Sequence, residues 1–99
     1  MTRRDVYIAR NNSSTQAVEA IKKFGVKFEN REKYVASIKA LATKFYLWTT
    51  KDDEEQLRIN RQAVIKSAIE SIGIDPEITN SDEILKLGDK LLKYVNTNG

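Results

Sequence analysis

Tyr34-Val35-Ala36-Ser37-Ile38-Lys39-Ala40-Leu41-Ala42-Thr43-Lys44-Phe45-Tyr46-Leu47-Trp48 is the stretch on which the fold turns. Its large apolar residues Tyr34, Ile38, Leu41, Phe45 and Trp48 recur at spacings of 4, 3, 4 and 3, the period of one face of an α-helix. Burying a large apolar side chain is worth roughly 1.5–3 kcal/mol, so this stripe can anchor a core or a dimer interface. Asn30, just ahead of it, has the short polar side chain that caps a helix start. A competing reading pairs Phe45–Thr50 with the alternating Gln56–Asn60 as a β-hairpin, the wing of a winged-helix domain. The unbroken helical stripe and the acidic residues at the would-be hairpin tip favour the helix.

Toward the N-terminus, Asp5-Val6-Tyr7-Ile8-Ala9-Arg10 is β-branched and aromatic and reads as a short strand. Asn11-Asn12-Ser13-Ser14 supplies turn and cap chemistry, and Ser13 with Gln16 fits a capping box that opens a helix. Ala17, Val18, Ala20, Ile21 and Phe24 form its apolar stripe, and Gly25 is placed to end it in the left-handed conformation. Val26–Glu29 is a connector.

Toward the C-terminus, Thr50 and Asp53 fit a second capping box, with the acidic run Asp52–Glu55 where a helix N-terminus favours negative charge. That helix carries Leu57, Val64, Ile65, Ala68, Ile69 and Ile72, and Gly73 stops it before Ile74-Asp75-Pro76. A last helix opens at Asn80-Ser81-Asp82-Glu83, with Asn80 or Ser81 as cap, and runs through Ile84, Leu85, Leu87, Leu91, Leu92 and Val95. Gly88 inside it costs about 1 kcal/mol relative to alanine, which close helix packing would explain. Asn96-Thr97-Asn98-Gly99 reads as a frayed tail. The expected fold is mainly α, a short N-terminal strand followed by about four amphipathic helices.

With 99 residues and no repeat or low-complexity linker, the chain reads as a single domain, 1–99. It contains no histidine and no cysteine, which removes disulfides, the usual zinc sites, and thiol or imidazole chemistry. No nucleotide-binding glycine motif or nucleophile elbow occurs. Glu19, Glu29, Glu32 or Glu70 could serve in acid–base catalysis only if burial raised a pKa. The acidic run Asp52–Glu55 lacks the alternating ligands of a calcium loop. Neither an enzyme nor a cofactor is implied. No signal sequence or spanning segment is visible, so a cytoplasmic protein without a membrane partner is expected.

The 17 basic and 14 acidic residues are unevenly placed: residues 1–50 carry a net +6 and residues 51–99 a net −3. A basic half suits polyanions, and an acidic half suits protein contacts. The order of elements over residues 3–45, strand then helix then helix, resembles the layout of a ribbon-helix-helix dimer, whose paired strands enter the DNA major groove. The connector Val26–Glu29 is longer than that pattern, and Asp5 would repel phosphate. The resemblance implies a homodimer on duplex DNA, with Val6 and Ile8 facing the core and Arg3 and Tyr7 facing base edges. Arg4, Arg10, Lys22, Lys23, Lys27 and Arg31 would then neutralise phosphates. The expected function is a small DNA-binding regulator of transcription or of a replicon. The alternative is a helix bundle that binds protein, as an inhibitor, immunity factor or assembly adaptor, with the Phe45–Trp48 aromatics as contact residues.

Overall fold

The computed structural model describes residues 2–96 and consists of four helices, α1 (Arg3–Phe24), α2 (Arg31–Thr49), α3 (Glu55–Glu70) and α4 (Ser81–Asn96). Among the described residues there is no sheet, only an isolated bridge between Ile72 and Asp75. The chain is mainly α, as a helix bundle would be, and the tail beyond Asn96 lies outside the described residues.

The expected strand at Asp5–Arg10 is instead the start of α1. A lone strand would leave its backbone groups without partners, whereas a helix satisfies them locally. Thr2 starts it with a capping box: its hydroxyl accepts from the Asp5 N–H (3.1 Å), and its own N–H donates to Asp5 Oδ2 (3.3 Å). The Asn11–Ser14 segment is therefore mid-helix rather than a turn, and Ser13 is no cap. Its polar side chains are absorbed by the helix, since the Ser14 and Thr15 hydroxyls donate to the Arg10 and Asn11 carbonyls at 3.0 and 3.1 Å. Ser13 itself is buried. Without the strand, the ribbon-helix-helix layout and its orientation of Val6, Ile8, Arg3 and Tyr7 do not hold.

Other boundaries follow the sequence more closely. Asn30 Oδ1 accepts from the Lys33 N–H at 3.0 Å and opens α2, and Asn80 Oδ1 accepts from the Glu83 N–H at 3.1 Å and opens α4. Gly25 ends α1 at φ 72°, in the left-handed region. There is no hairpin at 45–60, because Phe45–Thr49 are the last turns of α2. Nor does Thr50 cap α3; its hydroxyl donates back to the Tyr46 carbonyl at 2.7 Å, and α3 begins at Glu55 with no side-chain cap on Glu54. Asp52 pairs instead with Arg61 (2.8 Å), a mostly buried arginine whose guanidinium lies 4.8 Å over the Trp48 ring. The helix ends at Glu70 rather than at Ile72, and Gly73 adopts φ 90° in the turn beyond.

One core joins all four helices: Ala17 and Ala20 from α1, Ala42, Phe45 and Trp48 from α2, Val64, Ile65, Ala68 and Ile69 from α3, and Ile84 and Leu92 from α4. The stripe from Tyr34 to Trp48 is helical as expected, with Phe45 and Trp48 buried and Tyr34, Ile38 and Leu41 half-buried. α1 packs chiefly on α2, and α3 on α4. Trp48 is the bolt between the hairpins. Its indole N–H donates to Asp89 Oδ1 at 3.1 Å, and its ring lies 3.1 Å from where a Cβ on Gly88 would stand. Gly88 is there for close approach. The backbone spans 46 × 36 × 14 Å, a plate two helix layers thick.

Candidate functional site

α1 carries most of the residues expected to meet a polyanion. Arg3, Arg4, Tyr7 and Arg10 lie on its first turns and are all exposed, while Lys22 and Lys23 occupy its last turn, where positive charge complements the helix dipole. Eighteen residues make five helical turns, so Arg4 and Lys22 point the same way about 27 Å apart. Lys23 points elsewhere and pairs with Glu70 of α3 at 3.5 Å. Lys27 lies exposed in the connector, and Arg31 is exposed at the start of α2. The basic residues therefore do not form one cluster; they occupy both ends and the middle of the hairpin.

The middle is the most built part. α1 and α2 run antiparallel, and the seam between them opens into a groove of about 450 Å³ lined by Arg10, Ser13, Ser14, Lys39, Thr43 and Tyr46. Its lining contains no carboxylate. The Arg10 guanidinium sits 5.1 Å over the Tyr46 ring, which holds it on the groove wall by cation–π attraction. Lys39 stands on the opposite helix. The Ser14 and Thr43 hydroxyls donate to the Arg10 and Lys39 carbonyls at 3.0 and 2.8 Å, and each can rotate to donate to a ligand instead. Two cations and two hydroxyls from two helices line this groove, all of them groups that can donate to anionic oxygens.

Lys39, Ser14 and Thr43 were not expected as site residues from the sequence, and Tyr46 was expected only as a protein contact within Phe45–Trp48. Their grouping depends on Arg10 belonging to a helix, since only then do Arg10 and Ser14 share a face and align with the Lys39–Thr43–Tyr46 face of α2.

Other charges are committed to the fold. Lys33 pairs with Glu29 at 2.8 Å, Lys44 with Asp82, and Lys86 with Glu83 at 3.1 Å. Asp5 has its pKa lowered, first by the Thr2 backbone and side-chain hydrogen bonds and further by the nearby Arg58 charge. Arg58 also donates to the Asp53 carbonyl, so the acidic 51–54 loop lies at the same end as Arg3 and Arg4. That end has mixed charge, whereas the Arg10–Lys39 groove does not. Among the described residues no group of three or more His, Cys, Asp or Glu is placed to hold a metal ion, and no helix is long and apolar enough to cross a membrane.

Comparison with protein-family models, with curated proteins and with solved structures finds no match.

Proposed function

We propose that the protein is a non-enzymatic binding module that takes the phosphate backbone of duplex DNA along the α1–α2 hairpin. The observation that carries this reading is the carboxylate-free groove with Arg10 and Lys39 on its two walls. Arg3 and Tyr7, seven and three residues before Arg10, share its face of α1 and extend the reading along the helix, whereas Arg4 and Lys22 lie about 120° around from it. The contacts are to phosphate oxygens, so affinity depends strongly on salt and weakly on sequence. On this reading the module is a backbone binder, and a regulator or replicon accessory role would come from what it is attached to or recruits.

Fluorescence anisotropy with a labelled duplex over a range of salt tests it. Binding should weaken steeply as salt rises, and Arg10→Ala with Lys39→Ala should reduce the log–log salt slope by about 2, because each lost phosphate contact removes roughly 0.9. Absence of binding at the lowest ionic strength overturns the reading.

A second reading, a bundle that binds protein, is favoured by Leu47, 63% exposed at the edge of the same groove. It requires Leu47→Ala to remove a partner contact. Under the DNA reading the same change leaves duplex affinity intact.

A further inference from the structure

We propose that a second copy of this chain covers the opposite flank of α1, the face it shares with α3, in a two-fold dimer. α1 and α3 run side by side in the same direction: Asn12 Nδ2 donates to Gln62 Oε1 at 2.9 Å, and one helix end further on Lys23 meets Glu70. Between them lies a groove of about 440 Å³, whose lining includes Gln16, Glu19, Ile59, Gln62, Lys66 and Glu70. Ile59 is 52% exposed there, and Ile8, one turn before Asn12, is 46% exposed.

A half-exposed apolar side chain on the wall of a groove puts knob and hole on one surface. Two-fold pairing requires that combination, because each copy's Ile59 then enters the other's groove. The rim charges are of both signs, Glu19 on α1 with Lys66 and Glu70 on α3, and Glu70 is already paired with Lys23, so the same axis can set each copy's Lys66 against the other's Glu19. A uniformly charged rim would forbid self-pairing.

The shape of the molecule leaves room for such a contact. The radius of gyration is 13.7 Å, against about 12.6 Å for a compact chain of this length, the excess being that of a plate. A standard interface buries ~800 Å² on each partner, so the contact extends beyond the groove across the α1–α3 face, Ile8 included. This face lies on the other flank of α1 from the Arg10–Lys39 groove, so the pairing does not depend on the DNA reading.

Sedimentation velocity across a protein concentration series decides. The wild-type chain should show a concentration-dependent dimer, and Ile59→Asp should be monomeric while its circular dichroism keeps the full helix signal. Lys66→Glu and Glu19→Lys should each weaken dimerisation by at least about tenfold through like-charge contacts. Mixed together, the two variants should pair as a heterodimer, because each then meets an opposite charge twice; a salt bridge within one chain cannot produce that rescue. A wild-type chain still monomeric at millimolar concentration overturns the proposal, as does a dimer that Ile59→Asp leaves intact. Should Ile59→Asp lose its helix signal, the mixing experiment stands in its place, and failure of the mixture to pair overturns the proposal.

Discussion

Along the α1–α2 seam the side chains that α1 buries are mostly small, Ala9, Ser13, Ala17 and Ala20, with Ala42 among those facing them from α2. The α3–α4 hairpin buries Val64, Ile65, Ile69, Ile84 and Leu92. Two ways of holding helices together therefore meet in one plate. In the second hairpin each side chain removes a large apolar area from water, and stability scales with what is buried. In the first, α1 adds little area per residue beyond Ile21, and the large buried side chains, Phe45 and Trp48, come from α2, so α1 is held by approaching closely over many turns. The close seam is also what brings Arg10 and Lys39 to opposite walls of one narrow groove.

The largest effect expected from this contrast is at Ile65, fully buried in α3. Ile65→Ala should cost about 2–5 kcal/mol in urea unfolding, the lost transfer energy plus a cavity. Ala20, also fully buried, should respond to the reverse change. Ala20→Leu adds volume where α1 lies against the core and should cost about 1–3 kcal/mol by overpacking. It should also widen the α1–α2 seam, so duplex affinity falls along with stability. A neutral Ala20→Leu would mean that α1 is not held at contact distance, and the contrast between the hairpins would fail.

The same contrast explains which parts of the molecule were legible in the sequence. The α2 stripe, the Asn30 and Asn80 caps, Gly25 and the close-packing reason for Gly88 all show in residue types, because large apolar residues and cap chemistry have distinct signatures. The first half of α1 does not. Its buried residues are Ala9 and Ser13, which no hydrophobic pattern marks, while Val6, Tyr7 and Ile8 imitate a strand and Asn11–Ser14 imitate a turn; the stripe of the second half, with Ala17, Ala20 and Ile21 buried, does show. The candidate site suffered in the same way. Arg3, Arg4, Arg10 and Lys22 were visible as charge, but the Arg10–Lys39 groove appears only once Arg10 is on a helix. Arg61 was hidden for the opposite reason, because a lone arginine in an amphipathic helix gives no sign that an aromatic ring and a carboxylate will bury it.

The smallest expected effect lies where the two hairpins are tied at the surface. Lys44 of α2 donates to Ser81 Oγ at 2.8 Å and to Asp82 Oδ1 at the start of α4. The hydrogen bond from Lys44, and then its charge, lower the Asp82 pKa below the ordinary 3.8. A carboxylate with a lowered folded-state pKa adds stability that is present above its unfolded value and lost as pH falls through the folded one. Stability should therefore decline as pH drops below about 4, and Asp82→Asn should flatten part of that decline while changing little else. Part of the slope should remain, because Asp5 is lowered too and titrates in the same direction. The Asp82 side chain is 72% exposed, so salt should shrink its share. If Asp82→Asn leaves the acid limb of an unfolding series unchanged at low salt, this tie contributes nothing. The hairpins are then joined by Trp48, Gly88 and the shared core alone.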